Sequence, residues 1–170
     1  MILDFSKNIN IESLFPENEF QEKVISFLQE WFSDSETVSV QSSGSTGKPK
    51  IFEVEKRRML NSAKMTCDFL GLKEGNTALL CLPVQYISGK MMLVRAIERK
   101  LKIIISEPSS APEIPQNIDF CAMTPLQVQN SLNRIHLIKN LIIGGATVSE
   151  NLKSQISSII FSTLKSSKLE

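Results

Sequence analysis

The sequence predicts a layered α/β domain, because short apolar strands alternate along it with amphipathic helices. Residues 77–82 and 141–143 are nearly continuous apolar runs of the kind found in buried strands. Between them, apolar side chains recur at helical spacing and mark one face of a helix: Ile87, Met91, Val94, Ile97 and Leu101. Such alternation is typical of a sheet with helices packed on its faces.

The elements before this region follow from the same patterns. Five apolar residues at helical spacing predict an amphipathic helix that ends near residues 33–35: Phe20, Val24, Phe27, Leu28 and Trp31. Strands are predicted at Thr37–Gln41 and Ile51–Glu55, and a helix over 56–70 is closed by Gly71.

The elements after residue 100 are shorter. Two more strands are predicted: 102–106 and 119–123. Thr124 and Pro125 have the residue types of an N-cap and a first helical position, and Ser149 is a candidate cap for a helix through residue 156. Three cations near the end of the helix after residue 87 suit its dipole: Arg95, Arg99 and Lys100.

Composition and charge argue against several classes of function. The 170 residues include 19 basic and 18 acidic ones, so a net charge of +1 gives no broad footprint for nucleic acid or an anionic membrane. No apolar stretch approaches the roughly 20 residues that span a bilayer. Cys67, Cys81 and Cys121 form no CxxC pair, so we expect small buried side chains, no metal site and a reducing, cytoplasmic environment.

Residues 42–50 form the loop that carries the chemistry. Every residue in it except Pro49 is Gly, Ser, Thr or Lys. Glycines allow several backbone N–H groups to turn toward one point, hydroxyls add donors, and lysines add charge. This donor set suits a polyphosphate, although the spacing is not that of a Walker A loop and a strand follows. The alternative is a flexible hairpin connection rich in turn-forming residues.

The loop sequence Ser-Ser-Gly-Ser-Thr-Gly-Lys-Pro-Lys closely resembles the phosphate-binding signature of the adenylate-forming superfamily. The resemblance implies part of that superfamily's large N-terminal domain. It implies an N-terminal helical segment at 1–36, a partial AMP-binding domain at 37–156 and a C-terminal tail of uncertain structure at 157–170. It also implies that six loop residues bind the nucleotide: Ser43, Gly44, Ser45, Thr46, Gly47 and Lys48. Thr46 and Lys50 are the candidate catalytic residues.

Later segments fit the same resemblance in the family's order. Residues 82–89, Leu-Pro-Val-Gln-Tyr-Ile-Ser-Gly, match the segment that lines the acid pocket. The match implies four substrate contacts: Tyr86, Ser88, Gly89 and Lys90. Residues 123–125 resemble the family's strand-end Thr/Pro element. Residues 144–146 match the stretch beside the adenine, where small residues let a flat ring approach the backbone: Gly144, Gly145 and Ala146.

Several of these matches have simpler interpretations. Ser88 and Gly89 also suit a plain helix start, and the Gly-Gly pair at 144–145 suits a plain turn. Lys90 is equally well interpreted as a solvated helix residue. Tyr86 departs from the histidine usual at this position, and His136 is interpreted as part of a surface connection.

Within the superfamily, residues 86–92 and the short region before the loop look most like the o-succinylbenzoate–CoA ligases of menaquinone biosynthesis. The resemblance implies formation of an acyl-adenylate and then an acyl-CoA, with ATP, Mg²⁺ and CoA. The family's later motifs, including the Glu that helps hold Mg²⁺, have no match between residues 146 and 170. We therefore expect little or no ligase activity from this chain by itself.

Two other hypotheses stay open. One is a non-catalytic, nucleotide-binding or oligomerising remnant, and the other is a fragment of another acyl-CoA synthetase. The expected partners are a small carboxylic acid, ATP and CoA, without nucleic acid or membrane. A second copy of the chain and a complementing C-terminal fragment are open alternatives.

Overall fold

The computed structural model describes residues 1–42 and 49–166, with side chains described through residue 159. Within these ranges the chain forms seven strands: β1 (Ile2–Asp4), β2 (Thr37–Gln41), β3 (Ile51–Glu55), β4 (Thr77–Leu80), β5 (Lys102–Ile105), β6 (Ile118–Met123) and β7 (Ile138–Ile143). The same ranges hold five α-helices: α1 (Glu19–Phe32), α2 (Lys56–Phe69), α3 (Ile87–Glu98), α4 (Pro125–Asn130) and α5 (Glu150–Ser166). Short 3₁₀ helices lie at Ile11–Ser13 and Ile135–Leu137.

Five of these strands form one sheet in the order β1-β5-β4-β6-β7. Strands β5, β4, β6 and β7 run parallel, so that Ala78 of β4 lies between Ile103 of β5 and Phe120 of β6. Strand β1 closes one edge antiparallel to β5, with Leu3 opposite Ile103. The parallel order confirms the α/β fold class predicted from the sequence.

Helices cover both faces of this sheet because successive residues of each strand point to opposite sides. On one face, Leu80 and Phe120 pack into a cluster with apolar residues of α1, α2 and α3. On the other face, Leu79 and Cys121 pack into a second cluster that includes Val128 of α4 and the half-buried Ile156 of α5. The strands are therefore buried on both sides, which explains their nearly continuous apolar sequences.

Strands β2 and β3 form a separate antiparallel hairpin. It contacts the rest of the fold where Gln41, the last residue of β2, makes a parallel bridge to Tyr86, the residue before α3. The hairpin is the element that leads into and out of the 42–50 loop, so this bridge brings the base of the loop to the start of α3.

The structure adds to the sequence predictions at both ends of the chain. Strand β1 was not predicted within the helical segment at 1–36, where only α1 was expected. Helix α5 runs to Ser166 and not to residue 156, and β7 begins at Ile138, before the predicted run at 141–143. The boundaries proposed for the three segments stay a prediction.

Two other expectations concern the whole chain. The three cysteines are free and buried, as predicted. None of the helices in the described part of the chain is both long enough and apolar enough to cross a lipid bilayer.

Candidate functional site

The carboxyl ends of the parallel strands meet at one edge of the sheet, the edge at which open α/β folds bind ligands. A pocket of about 280 Å³ lies there, against the ends of β6 and β7 and the first turns of α3. Strand β6 and the residue after it contribute Ala122 and Thr124, and β7 contributes Ile142. Its position identifies this pocket as the candidate functional site.

The pocket brings together two of the segments that the sequence singled out. Ser88 of α3 lines one side, and Gly144 and Gly145 line the other. They are more than fifty residues apart in sequence, so only the strand order brings them together. The predicted acid-binding and adenine-binding segments therefore share one cavity.

The Gly144–Gly145 segment presents open backbone beside this cavity. The N–H of Gly144 donates to the carbonyl oxygen of Met123 at 3.1 Å, which fixes the segment to the end of β6. Gly145 has a φ of 86°, a left-handed conformation that favours glycine. A Cβ at Gly144 would meet no atom within 4 Å, so the space beside this residue is open. Ala146 follows in an exposed position.

Gly89 lies at the start of α3, where the helix touches the segment before it. A Cβ on Gly89 would overlap the carbonyl oxygen of Pro83. Because a backbone carbonyl cannot move aside, only glycine allows α3 to begin here. Gly89 therefore acts by close packing, and it is the exposed Ser88 beside it that offers a side chain to the pocket.

The phosphate-loop predictions lie largely outside the described residues. Six of the predicted nucleotide-binding residues, among them the candidate catalytic Thr46, fall at positions 43–48. The two residues at the base of the loop are described. The N–H of Ser42 donates to the carbonyl oxygen of Lys50 at 2.8 Å, and the N–H of Lys50 donates to the Ser42 hydroxyl at 3.0 Å. Lys50 is exposed beside this closed base.

Tyr86 lies between the loop and the pocket. It is half-buried, directly precedes α3, and forms the bridge to Gln41 at the end of β2. The N–H of Gln41 also donates to the carbonyl oxygen of Gln85 at 3.0 Å. Tyr86 is not among the residues that line the pocket; its backbone joins the loop hairpin to the pocket helix.

Arg95 is a pocket residue that the sequence analysis did not identify. It lies in the last turn of α3, as expected, and it also lines the pocket. Its Nε is buried without a hydrogen-bond acceptor among the described residues, and its guanidinium carbon lies 5.8 Å from the centre of the Phe120 ring. Burial is the main cause that lowers the pKa of Arg95. An unpaired buried donor of this kind suits an anion.

The spacing of residues along α3 is the sequence feature that points to Arg95 as a pocket residue. Ser88, Met91 and Arg95 recur at intervals of three and four residues, which places them on one helix face. All three line the pocket. Once Ser88 is assigned to the site, the helical period points to Arg95.

Lys90 lies away from this pocket. Its side chain is only 9% exposed, so the interpretation as a solvated helix residue was wrong. The ammonium lies 3.6 Å from a carboxylate oxygen of Glu30 and 4.4 Å from the centre of the Phe27 ring. Burial lowers the pKa of Lys90, and the Glu30 charge partly offsets this. Its predicted role in binding substrate stays untested.

His136 agrees with its simpler interpretation. His136 is exposed in the 3₁₀ helix Ile135–Leu137, a surface connection as expected. In residues 1–42 and 49–166, no group of three or more His, Cys, Asp or Glu side chains is arranged to hold a metal ion.

Comparison with known proteins adds structural neighbours. No protein-family model and no curated protein sequence matches the chain. A crystal structure of an acyl-CoA synthetase (AMP-forming)/AMP-acid ligase II-like protein from Dyadobacter fermentans matches 92% of the chain, with a TM-score of 0.83 and 31% identity. The chain spans about half of that protein, 47% of its length.

Two more distant structures match at the level of the fold. An o-succinylbenzoate CoA synthetase from Bacillus subtilis, in complex with its acyl-adenylate intermediate, has a TM-score of 0.59 and 18% identity over 71% of this chain and 34% of that one. MatB from Rhodopseudomonas palustris, bound to ATP, has a TM-score of 0.57 and 12% identity over 71% of this chain and 26% of that one.

These neighbours identify the class of fold. The chain has the architecture of the N-terminal domain of adenylate-forming enzymes, and its structural neighbours are AMP-forming acid–CoA ligases. The o-succinylbenzoate CoA synthetase is one of them. The resemblance inferred from the loop and the segments at 82–89 and 144–146 is confirmed at this coarser level.

Proposed function

We propose that this chain supplies the nucleotide- and acid-binding part of an AMP-forming acid–CoA ligase whose acid is o-succinylbenzoate or a similar dicarboxylate. One observation carries the proposal: the predicted acid-binding and adenine-binding segments line one pocket at the carboxyl ends of the parallel strands. The loop that resembles a phosphate-binding signature begins and ends beside the helix that forms this pocket.

The phosphates of the nucleotide are assigned to the loop, and its adenine to the glycine side of the pocket. Backbone N–H groups and hydroxyls of residues 43–48 bind the phosphates in this proposal, with Thr46 and Lys50 as the catalytic residues. The adenine lies along Gly144, Gly145 and Ala146. The open space over Gly144 and the left-handed backbone at Gly145 support this placement.

The acid is assigned to the α3 side, where the pocket is mainly apolar. Ser88 offers a hydroxyl at one position, and Arg95 offers a cation two turns further along the same helix face. A guanidinium binds a carboxylate through paired hydrogen bonds, and a partly buried one does so most strongly. Because one carboxylate must react, a cation at a separate position favours an acid with two carboxylates. The o-succinylbenzoate complex of the Bacillus subtilis neighbour supports the same class of acid.

The proposed chemistry is an in-line attack held in place by the protein. One carboxylate oxygen of the acid attacks the α-phosphorus of ATP, the bond to the bridging oxygen breaks, and pyrophosphate leaves. The CoA thiol then attacks the acyl carbon and AMP leaves, while the thiol proton passes to solvent. Mg²⁺ supplies charge neutralisation at the phosphates when it is bound. The chain's own contribution is to hold the two reactants in contact, which is worth several orders of magnitude in rate.

Replacement of Arg95 tests the assignment of the acid. We expect Arg95→Met to weaken binding of o-succinylbenzoate by about 10- to 100-fold, because a hydrogen bond to a charged group is worth about 1.5–3 kcal/mol. Binding of 4-oxo-4-phenylbutanoate, which lacks the ring carboxylate, should change little, and binding of ATP should not change. Isothermal titration calorimetry with each ligand measures all three affinities.

Arg58→Met is the matched control, because Arg58 is exposed on α2 and makes only a surface ion pair with Glu55. Equal loss of affinity in both variants would sink the assignment of Arg95. A wild-type chain that binds ATP but ignores both acids would favour the non-catalytic remnant. A chain that binds neither ligand would overturn the proposed function altogether.

A further inference from the structure

Glu30 of α1 connects the loop hairpin with the pocket helix. One carboxylate oxygen accepts a hydrogen bond of 2.7 Å from the N–H of Ser39, in the middle of β2. The other lies 3.6 Å from the ammonium of Lys90, on α3. Helix α1, strand β2 and helix α3 therefore meet at one carboxylate.

Strands β2 and β3 are not part of the five-stranded sheet, so the hairpin is held to the fold by such contacts and by packing of Val38 in the core. Its attachment to α3 at the loop end is the bond from the N–H of Gln41 to the carbonyl of Gln85. Ser39 lies two residues before Gln41, and its hydroxyl also donates to Glu53 of β3 at 2.8 Å. Fixing Ser39 therefore fixes both strands of the hairpin.

Lys90 fixes the other end of the connection. It follows Gly89, whose contact with Pro83 sets the start of α3, and it directly precedes the pocket residue Met91. The ammonium lies over the Phe27 ring as well as beside Glu30, so α1 holds it from two positions one turn apart. A buried ion pair adds little net stability compared with apolar packing, so its main consequence is geometric.

We infer that Lys90 and Glu30 are positioning residues that hold the phosphate-loop hairpin at a fixed distance from the acid pocket. The inference rests on the proposed function. Reaction requires the acid oxygen and the α-phosphorus to approach within about 3–3.5 Å, and a displacement of about 1 Å is costly. In this role Lys90 acts through the hairpin and not through the substrate contact that the sequence match implied, and the pair sets the separation between the two binding segments.

The test compares Lys90→Met, which keeps the packing volume, with Lys90→Arg, which keeps the charge. Calorimetry measures the affinity for o-succinylbenzoate with and without a non-hydrolysable ATP analogue. We expect Lys90→Met to leave each separate affinity within about twofold and to reduce their mutual enhancement by about fivefold or more. Lys90→Arg should restore the enhancement. A purely structural role would change stability and not this coupling.

Hydrogen exchange at the Ser39 amide provides a measurement that needs no ligand. This amide should exchange about tenfold faster in Lys90→Met than in the wild type, and at the wild-type rate in Lys90→Arg. Lys23→Met is the control, because Lys23 lies on α1, as Glu30 does, but makes an exposed ion pair with Glu19 of that helix. Glu30→Gln removes the charge but keeps an acceptor for the Ser39 N–H. It replaces Lys90→Met in both measurements if that variant does not fold.

The outcomes separate this inference from the proposed function. Unchanged coupling and unchanged Ser39 exchange in Lys90→Met would overturn the inference, as would independent binding of the two ligands to the wild type. A wild type that binds neither ligand would overturn the proposed function, and with it the catalytic purpose of the pair. In that case faster exchange at Ser39 would still establish that Lys90 positions the hairpin.

Discussion

Single residues at the start of α3 determine how the pocket is built. Gly89 has no side chain because the Pro83 carbonyl occupies the place of a Cβ, and this contact sets where the helix begins. Ser88 and Arg95 then follow from the helical period. The pocket's chemistry therefore depends on a residue that contributes no functional group.

Gly89→Ala should destabilise the fold, because the new methyl group must displace either α3 or the segment at Pro83. Overpacking of this kind typically costs about 1–3 kcal/mol, and a backbone neighbour places the expected value at the upper end. The free energy of unfolding in urea measures it.

Gly144→Ala is the control for this substitution, because its Cβ would meet no atom within 4 Å. We expect it to change the free energy of unfolding by about 0.5 kcal/mol or less. If both variants had the same stability, the account of Gly89 as a packing glycine would be wrong.

Residue-level prediction from sequence was incomplete for contacts across the fold. The glycines at 144–145, which the family resemblance placed beside the adenine, line the pocket, and their contact with adenine stays a prediction. Lys90 is buried against Glu30, and Arg95 lines the pocket; neither contact was predicted. Glu30, the partner of Lys90, and Phe120, the partner of Arg95, lie more than twenty residues away in sequence. Local sequence patterns carry no information about contacts at that separation.

At the scale of elements, α4 shows how a short helix is stabilised at its start. The Thr124 hydroxyl accepts from the N–H of Gln127 at 3.3 Å, and the Gln127 side chain accepts from the N–H of Thr124 at 2.9 Å. This is a reciprocal capping box with Pro125 at the first helical position. The buried Gln127 amide also donates to the carbonyls of Cys81 and Ser109, each at 2.9 Å.

Thr124→Ala should lower the free energy of unfolding by about 1 kcal/mol, because it removes the side-chain acceptor at the N-cap. Thr124→Ser keeps that acceptor and should retain most of the stability. Urea denaturation of the two variants gives the difference directly. Equal losses would indicate that packing of the Thr124 methyl group, and not the cap, matters.

Elements with local signals were predicted well. The start of α4 followed from Thr124 and Pro125, and α1 followed from its apolar spacing. Strand β1 was missed because three residues carry too little pattern, and it forms only by pairing with β5 about a hundred residues later. Helix α5 was expected to end near residue 156, where the serine-rich sequence weakens its amphipathic pattern.

At the scale of the whole molecule, β1 closes the edge of the sheet and joins the chain's beginning to its middle. Leu3 is 2% exposed and belongs to the same hydrophobic cluster as Trp31 and Phe120. The neighbouring Ile2 is 56% exposed. Alternate residues of one short strand therefore contribute very differently to stability.

Leu3→Ala should cost about 2–4 kcal/mol of unfolding free energy, because it opens a cavity under the edge strand. Ile2→Ala should cost less than about 1 kcal/mol, since its side chain is mostly in water. Thermal and urea unfolding of both variants test the difference. Similar small losses in both would show that β1 adds little to the fold.

Three separate parts of the chain form the walls of the pocket: the first turns of α3, the end of β6 and the residues after β7. Partial unfolding of any one of them dismantles the cavity. A ligand bound in it therefore links these parts and raises the melting temperature of the domain, by an amount that grows with the logarithm of the free ligand concentration divided by Kd. A rise in melting temperature with added nucleotide or acid would thus report occupancy without any turnover.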